Sequence, residues 1–77
     1  MLKITKREEN GMVVLKLEGT VTEHWTAFLE GECRAFLRND KTLLLDCAGV
    51  NVLDVHGVDM LGNLRRNKVT IIGLQKS

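Results

Sequence analysis

The strongest constraint on this chain is that its hydrophobic periodicity changes four times within 77 residues. Alternating apolar and polar positions give way to a three-and-four spacing, then to a continuous apolar run, then to three-and-four spacing again, and finally to a short apolar stretch. Period two sets successive side chains on opposite faces of a strand, whereas three-and-four spacing lines one face of a helix. A chain patterned in this way mixes strands and helices in alternation.

Leu2-Lys3-Ile4-Thr5-Lys6 alternates, and residues 12–18 do so more loosely, with Val13, Leu15 and Leu17 on one side. Glu9-Asn10-Gly11 lies between them and supplies residue types that tolerate positive φ, which predicts a β-hairpin. Gly19 is expected to end its second strand. Thr22 stands where a helix N-cap belongs, with Thr20 and Glu23 as a competing capping-box pair. Trp25, Phe28, Leu29, Cys33, Phe36 and Leu37 then form the buried stripe of an amphipathic helix, with Glu30 and Arg34 paired four apart on its outer face. Glu32 falls inside the apolar sector. A buried unpaired carboxylate is costly, so Glu32 is expected to reach the edge of the stripe, toward water or a base such as Arg65; the alternative is a polar contact at an interface.

Asn39-Asp40-Lys41 closes the helix. Leu43-Leu44-Leu45 is a short apolar run of the kind found in a strand covered on both faces between parallel neighbours. Asp46-Cys47-Ala48-Gly49 and Val50-Asn51-Val52-Leu53 follow. A second helix carries Val58, Met60, Leu61 and Leu64 and ends at Arg65-Arg66-Asn67, cations that suit the last turn of a helix. Residues 68–74, with Val69, Ile71 and Ile72, read as a final strand. The order β-β-α-β-α-β predicts an α/β domain with a mixed four-stranded sheet and an N-terminal hairpin. Two right-handed crossovers stepping the same way put both helices on one face. The other face is left bare, with Val14, Leu44 and Ile72 as candidates for it.

A chain of this length forms one domain and buries only about 60% of the surface its unfolded form exposes, so its core is marginal and a dimer or partner is expected to add to it. Lys+Arg number 11 against 10 Asp+Glu, a net charge of +1. The one tight basic group is Arg65-Arg66 with Lys68, and that gives no electrostatic case for nucleic acid. Cys33 and Cys47 have no CxxC spacing and make no zinc pattern with His24 and His56, so they read as small buried hydrophobes and no metal or cofactor is expected. No apolar run approaches the ~20 residues of a membrane span, and Met1 leads directly into a charged, strand-like segment rather than a signal peptide. The expected location is the cytoplasm, without direct membrane insertion.

The stretch Val14-Leu15-Lys16-Leu17-Glu18-Gly19-Thr20-Val21-Thr22, the amphipathic helix, and then Leu44-Leu45-Asp46-Cys47-Ala48-Gly49-Val50-Asn51-Val52-Leu53-Asp54-Val55-His56-Gly57 resemble the STAS domain. This is the module of anti-sigma factor antagonists and of sulphate-transporter tails. The family reads LxGxLD at its second strand and LDLSxVxFxDSSG from the third strand into the second helix, and the resemblance covers almost the whole chain. It implies protein binding rather than catalysis. A serine kinase that is itself the anti-sigma factor binds the unmodified domain, and phosphorylation of the serine after the motif aspartate ends that binding by adding charge at a helix N-terminus. Position by position, Asp54 matches the aspartate, Val55 the phosphorylated serine and Gly57 the glycine, while His56 takes the place of the second serine. Valine has no hydroxyl. The resemblance therefore implies a binder that serine phosphorylation at this site does not switch, or a cytoplasmic STAS subunit that clamps onto the ATPase of a transport system.

The implied partner surface comprises Asp54, Val55, His56 and Gly57, with Asp59 and Met60 on the first turn of the second helix and Thr22 and His24 alongside; a core position for Met60 is an equal expectation. Asp54 is most simply an N-cap accepting from the amides of residues 56 and 57. For His56 the neighbouring Asp54 favours the charged form and the helix dipole opposes it, with an exposed turn histidine as the plainer expectation. From a different class, a small ligand-binding domain or enzyme would use Asp46, Asp54, His24 and His56, although nothing in the spacing brings the two aspartates to one cleft. Family members commonly continue past the fourth strand. The chain reads as a shortened form ending at Gly73-Leu74-Gln75-Lys76-Ser77, which would leave residues 69–74 as an uncovered edge. Self-pairing, or pairing with a partner, is then expected across that edge or the bare face.

Overall fold

A two-residue turn starts the fold. Asn10 (φ 50°) and Gly11 (φ 81°) are both left-handed, the geometry that joins antiparallel strands without splaying them. The turn closes β1 (Leu2–Glu9) on β2 (Met12–Val21) with Glu9 opposite Met12. The computed structural model describes residues 2–74. The expectations placed on Met1 and on Gln75-Lys76-Ser77 lie outside the described residues.

After β2 come α1 (Glu23–Arg38), β3 (Thr42–Leu53), α2 (Val55–Arg66) and β4 (Thr70–Ile72), the expected order. The sheet order is β1-β2-β3-β4, with β3 parallel to both its neighbours. Both helices pack on one face of the sheet. Val13, Leu15, Leu17, Leu43, Leu45, Cys47 and Val69 meet Leu29 and Cys33 of α1 and Met60, Leu61 and Leu64 of α2 in a single core. Cys33 and Cys47 are free and buried, as small core hydrophobes.

Several boundaries differ from the sequence expectation, each for a local reason. Gly19 does not end β2. Its positive φ (105°) sits at an irregularity in the pairing with β3, and the strand continues to Val21. Residues 46–49 do not break β3 either. Asp46 Oδ1 accepts from the Ala48 amide at 3.0 Å, and a bulge there absorbs the turn-forming residues within one strand. A Cβ at Gly49 would lie 2.8 Å from Glu18 Cγ and 3.2 Å from the Leu17 carbonyl oxygen, so β2 and β3 approach there only because the residue is glycine. β4 is shorter than expected, three residues bounded by left-handed Lys68 (φ 72°) and Gly73 (φ 79°).

Side-chain placement differs as well. The run Leu43-Leu44-Leu45 is not covered on both faces: Leu43 and Leu45 are buried under the helices, and Leu44 is only half-buried on the helix-free side. Its cross-strand neighbours there are Val14 and Thr70, with Arg7 beyond Val14. Ile72 is 45% exposed, consistent with the expected bare face. Phe28, expected in the core stripe, is 52% exposed and meets Trp25 edge-on at 6.4 Å between ring centroids. Glu30 and Arg34 pair at 3.7 Å, as their spacing implies. Glu32 is exposed on the rim of a cleft of about 250 Å³ between β1 and α1, which it shares with Lys6 and Phe28. It does not meet Arg65, which lies over the β4 side of α2 beside Ile71 and Leu74.

Candidate functional site

The parallel strands β2 and β3 end side by side, Val21 opposite Leu53, and each leads directly into a helix. The N-termini of α1 and α2 are thus brought together at the carboxyl ends of the strands, the place where open α/β sheets carry their sites. Asp54 occupies the junction. Its Oδ1 accepts from the Gly57 amide of α2 at 2.8 Å, and its Oδ2 accepts from the Glu23 amide of α1 at 3.0 Å. Its own amide donates to the Val21 carbonyl at 3.2 Å. One residue therefore ties together both helix starts and the end of β2.

This geometry revises the expected capping. Thr22 is the N-cap of α1 by position (φ −128°, ψ 173°), but its hydroxyl makes no capping bond, and Thr20 lies within β2, so no capping box forms. The Asp54 carboxylate, 31 residues further along the chain, takes the α1 amide instead. A carboxylate makes the stronger, charge-assisted bond, and two positive helix ends face it. The Gly57 amide is the main reason that its carboxyl is held below the usual 3.8; burial opposes the shift, and the Glu23 amide and the charge of His56 reinforce it. Of the two α2 amides expected to bond Asp54, that of residue 57 does so as a cap.

Around this junction lie the other candidates. Val55, the first residue of α2, is 66% exposed, and Val58 one turn later is 53% exposed rather than in the core. Val52, at the end of β3, is half exposed as well. His56 is exposed, with Nε2 3.6 Å from Glu23 Oε2 across the two helix starts. His24 and Asp59 are exposed on the first turns of α1 and α2. Two expected surface residues lie beneath it. Met60 is buried in the core, and Gly57 is buried where a Cβ would come within 2.6 Å of Leu53 Cδ1 and 2.8 Å of the Val21 carbonyl oxygen. Gly57 lets α2 start flush against the strand ends; it carries the site without forming its surface.

Asp46 is not brought to this place. It lies on β3 before the bulge, in register with Lys16 and Ile72, with its carboxylate turned onto the Ala48 amide. Asp54 and His56 lie at the junction without it, and His24 is on the neighbouring first turn of α1. Among the described residues no group of three or more His, Cys, Asp and Glu side chains is placed to hold a metal ion, and no helix is long and apolar enough to cross a membrane.

Val52, Val58 and Glu23 were not identified as site residues from the sequence. The signal for Val58 is angular: at 100° per residue, Gly57, Met60, Leu61 and Leu64 share one sector of α2, and Val55 and Val58 fall outside it. Glu23 was marked only as a capping-box partner of Thr20; that its amide bonds Asp54 and its carboxylate faces His56 left no local signal.

Solved structures share this fold. An anti-sigma factor antagonist from Mycobacterium paratuberculosis superposes with a TM-score of 0.76 at 16% identity, over 92% of this chain and 64% of its own. The antisigma-factor antagonist STAS domain from Rhodobacter sphaeroides gives 0.68 at 17% identity, over 94% and 86%. Mglu gives 0.79 at 17% identity over 94% of this chain, which spans only 20% of that protein. No curated protein matches the sequence. The model of the STAS domain family matches residues 3–69, nearly the whole of the described chain, and the chain belongs to the STAS domain family.

Proposed function

We propose that this chain is a non-enzymatic protein-binding module of the anti-sigma factor antagonist type, acting in the cytoplasm, whose partner docks on the junction of the two helix starts. The observation that supports this best is the exposure of Val55 and Val58 beside Asp54. Apolar side chains surrounded by a polar rim, here Asp54, His56, Asp59, Thr22 and His24, are the composition of a small protein interface. The partner is an anti-sigma factor of the serine-kinase type. Binding is constitutive with respect to serine phosphorylation, because the position where the family carries the phosphorylated serine holds Val55.

The missing hydroxyl also favours a second reading, a cytoplasmic STAS subunit of a transport ATPase, which needs no phosphate switch. The same surface serves in both. Asp54→Lys and Val55→Glu, introduced singly, should abolish co-purification with the cognate kinase-type anti-sigma factor or transport ATPase while circular dichroism shows a folded protein. Unchanged co-purification with both partners overturns the surface. Incubation with the kinase and ATP should add no phosphate to residues 54–57 by mass spectrometry.

A further inference from the structure

A broad cleft lies at the other end of the helices. It has a volume of about 1000 Å³ and runs between the C-terminal ends of α1 and α2, with Leu37 and Leu64 among its lining residues. Arg34, Arg38, Lys41 and Lys68 also line it, against one carboxylate, Asp40. Arg34 is shared with Glu30 at 3.7 Å, and Lys41 with Glu8 at 2.9 Å. Among the described residues no carboxylate lies within salt-bridge distance of Arg38 or Lys68.

Cations near a helix C-terminus often serve the helix itself, by balancing about half a negative charge and meeting unpaired carbonyls. Here that need is largely met in another way, and in the same way twice. Asn39 Nδ2 donates to the Ala35 carbonyl at 3.0 Å, and Asn67 Nδ2 to the Asn63 carbonyl at 2.7 Å. The amides of Asn39, Asp40, Asn67, Lys68 and Val69 take further carbonyls of the two last turns. Each helix then ends on a left-handed residue, Asp40 (φ 56°) and Lys68 (φ 72°). Glycine is the usual residue at that position because it adopts the conformation without strain. Lysine at 68 accepts the strain, and the residue lines the cleft.

We propose that this cleft docks a segment of a partner protein in which acidic and apolar residues alternate, the carboxylates meeting Arg38 and Lys68 and the apolar side chains resting against half-buried Leu37. Charge complementarity selects the occupant. A nucleic acid is disfavoured because no aromatic ring lines the cleft for base stacking, Asp40 stands within it, and the chain carries a net charge of only +1. This surface is separate from the Asp54 junction, and either can fail without the other.

The test uses the intact chain with a fluorescein-labelled peptide of alternating glutamate and leucine, the same peptide with glutamine for glutamate, and a thymidine oligonucleotide, followed by fluorescence anisotropy. The glutamate peptide should bind saturably, more weakly as salt rises. Arg38→Gln and Lys68→Gly should each weaken it about two- to fivefold, the usual worth of one exposed ion pair, whereas Lys16→Gln on the helix-free sheet face should not. Lys68→Gly should at the same time raise the unfolding midpoint, which separates lost contact from lost fold. Peptide-induced amide shifts should concentrate in residues 34–42 and 64–68. Absence of saturable binding, equal binding of the glutamine peptide, tighter binding of the oligonucleotide, or shifts centred on residues 52–59 would each overturn the proposal.

Discussion

Asp54 joins two helix starts through one carboxylate, and its effect should be visible in acid. Its carboxyl is held below the usual 3.8 in the folded chain, so the stability it contributes is present above that value and is lost as pH falls below it through the lowered folded value. Asp54→Asn should lower the midpoint of thermal unfolding at neutral pH and remove this part of the acid sensitivity, so that the two proteins converge as pH drops below about 4. Gly57→Ala tests the other half of the junction. The new methyl would meet the Val21 carbonyl at 2.8 Å, and a backbone atom cannot swing aside, so a destabilisation of about 1–3 kcal/mol is expected from chemical denaturation. At position 68 the sign reverses: Lys68→Gly relieves a left-handed lysine and should stabilise by up to about 1 kcal/mol. The aspartate and the glycine were legible in the sequence as a cap and a motif position. That the cap spans two helices was not, because its second bond joins residues 31 apart.

Among the elements, β3 shows where local pattern stops being sufficient. Its apolar run marked a central strand with parallel neighbours, and it is one. Asp46-Cys47-Ala48-Gly49 carries turn-forming residues and still stays in the sheet, because β2 lies alongside and a bulge satisfies the backbone. The helices likewise followed their stripes, but Phe28 and Val58 emerged on the surface, since a stripe wider than its contact with the sheet leaves its margins uncovered. The core between these elements holds both thiols. Burial first, then neighbouring carboxylates, pushes Cys33 and Cys47 up to about 11 from an ordinary 9.0, which lowers the thiolate fraction about a hundredfold. Neither thiol should react with a thiol-disulfide reagent at pH 8 in the native state, and both should do so on unfolding. Rapid labelling of the native protein would show that α1 or β3 opens readily.

For the whole molecule, the common direction of the two helices sorts charge toward its ends. Glu23, Asp54 and Asp59 gather at the helix starts, and Arg34, Arg38, Lys41 and Lys68 at the helix ends, which a net charge of +1 does not reveal. Among the described residues the sheet keeps one face free of helices, and β4 is its outer strand. Self-association is proposed at that face or edge, and sedimentation velocity should then depend on protein concentration; a concentration-independent monomer would remove the idea. Periodicity alone determined the order of elements, the hairpin turn and most of the core, because each follows from contacts within a few residues or from the burial of one face. The resemblance to the STAS motif, with the capping chemistry of an aspartate, placed Asp54 at the start of a helix. Only the tertiary structure decided that this aspartate holds both helices and that cations 30 residues apart in sequence line one cleft. Those outcomes depend on how two parallel crossovers bring distant backbone groups together, and no local pattern encodes that meeting.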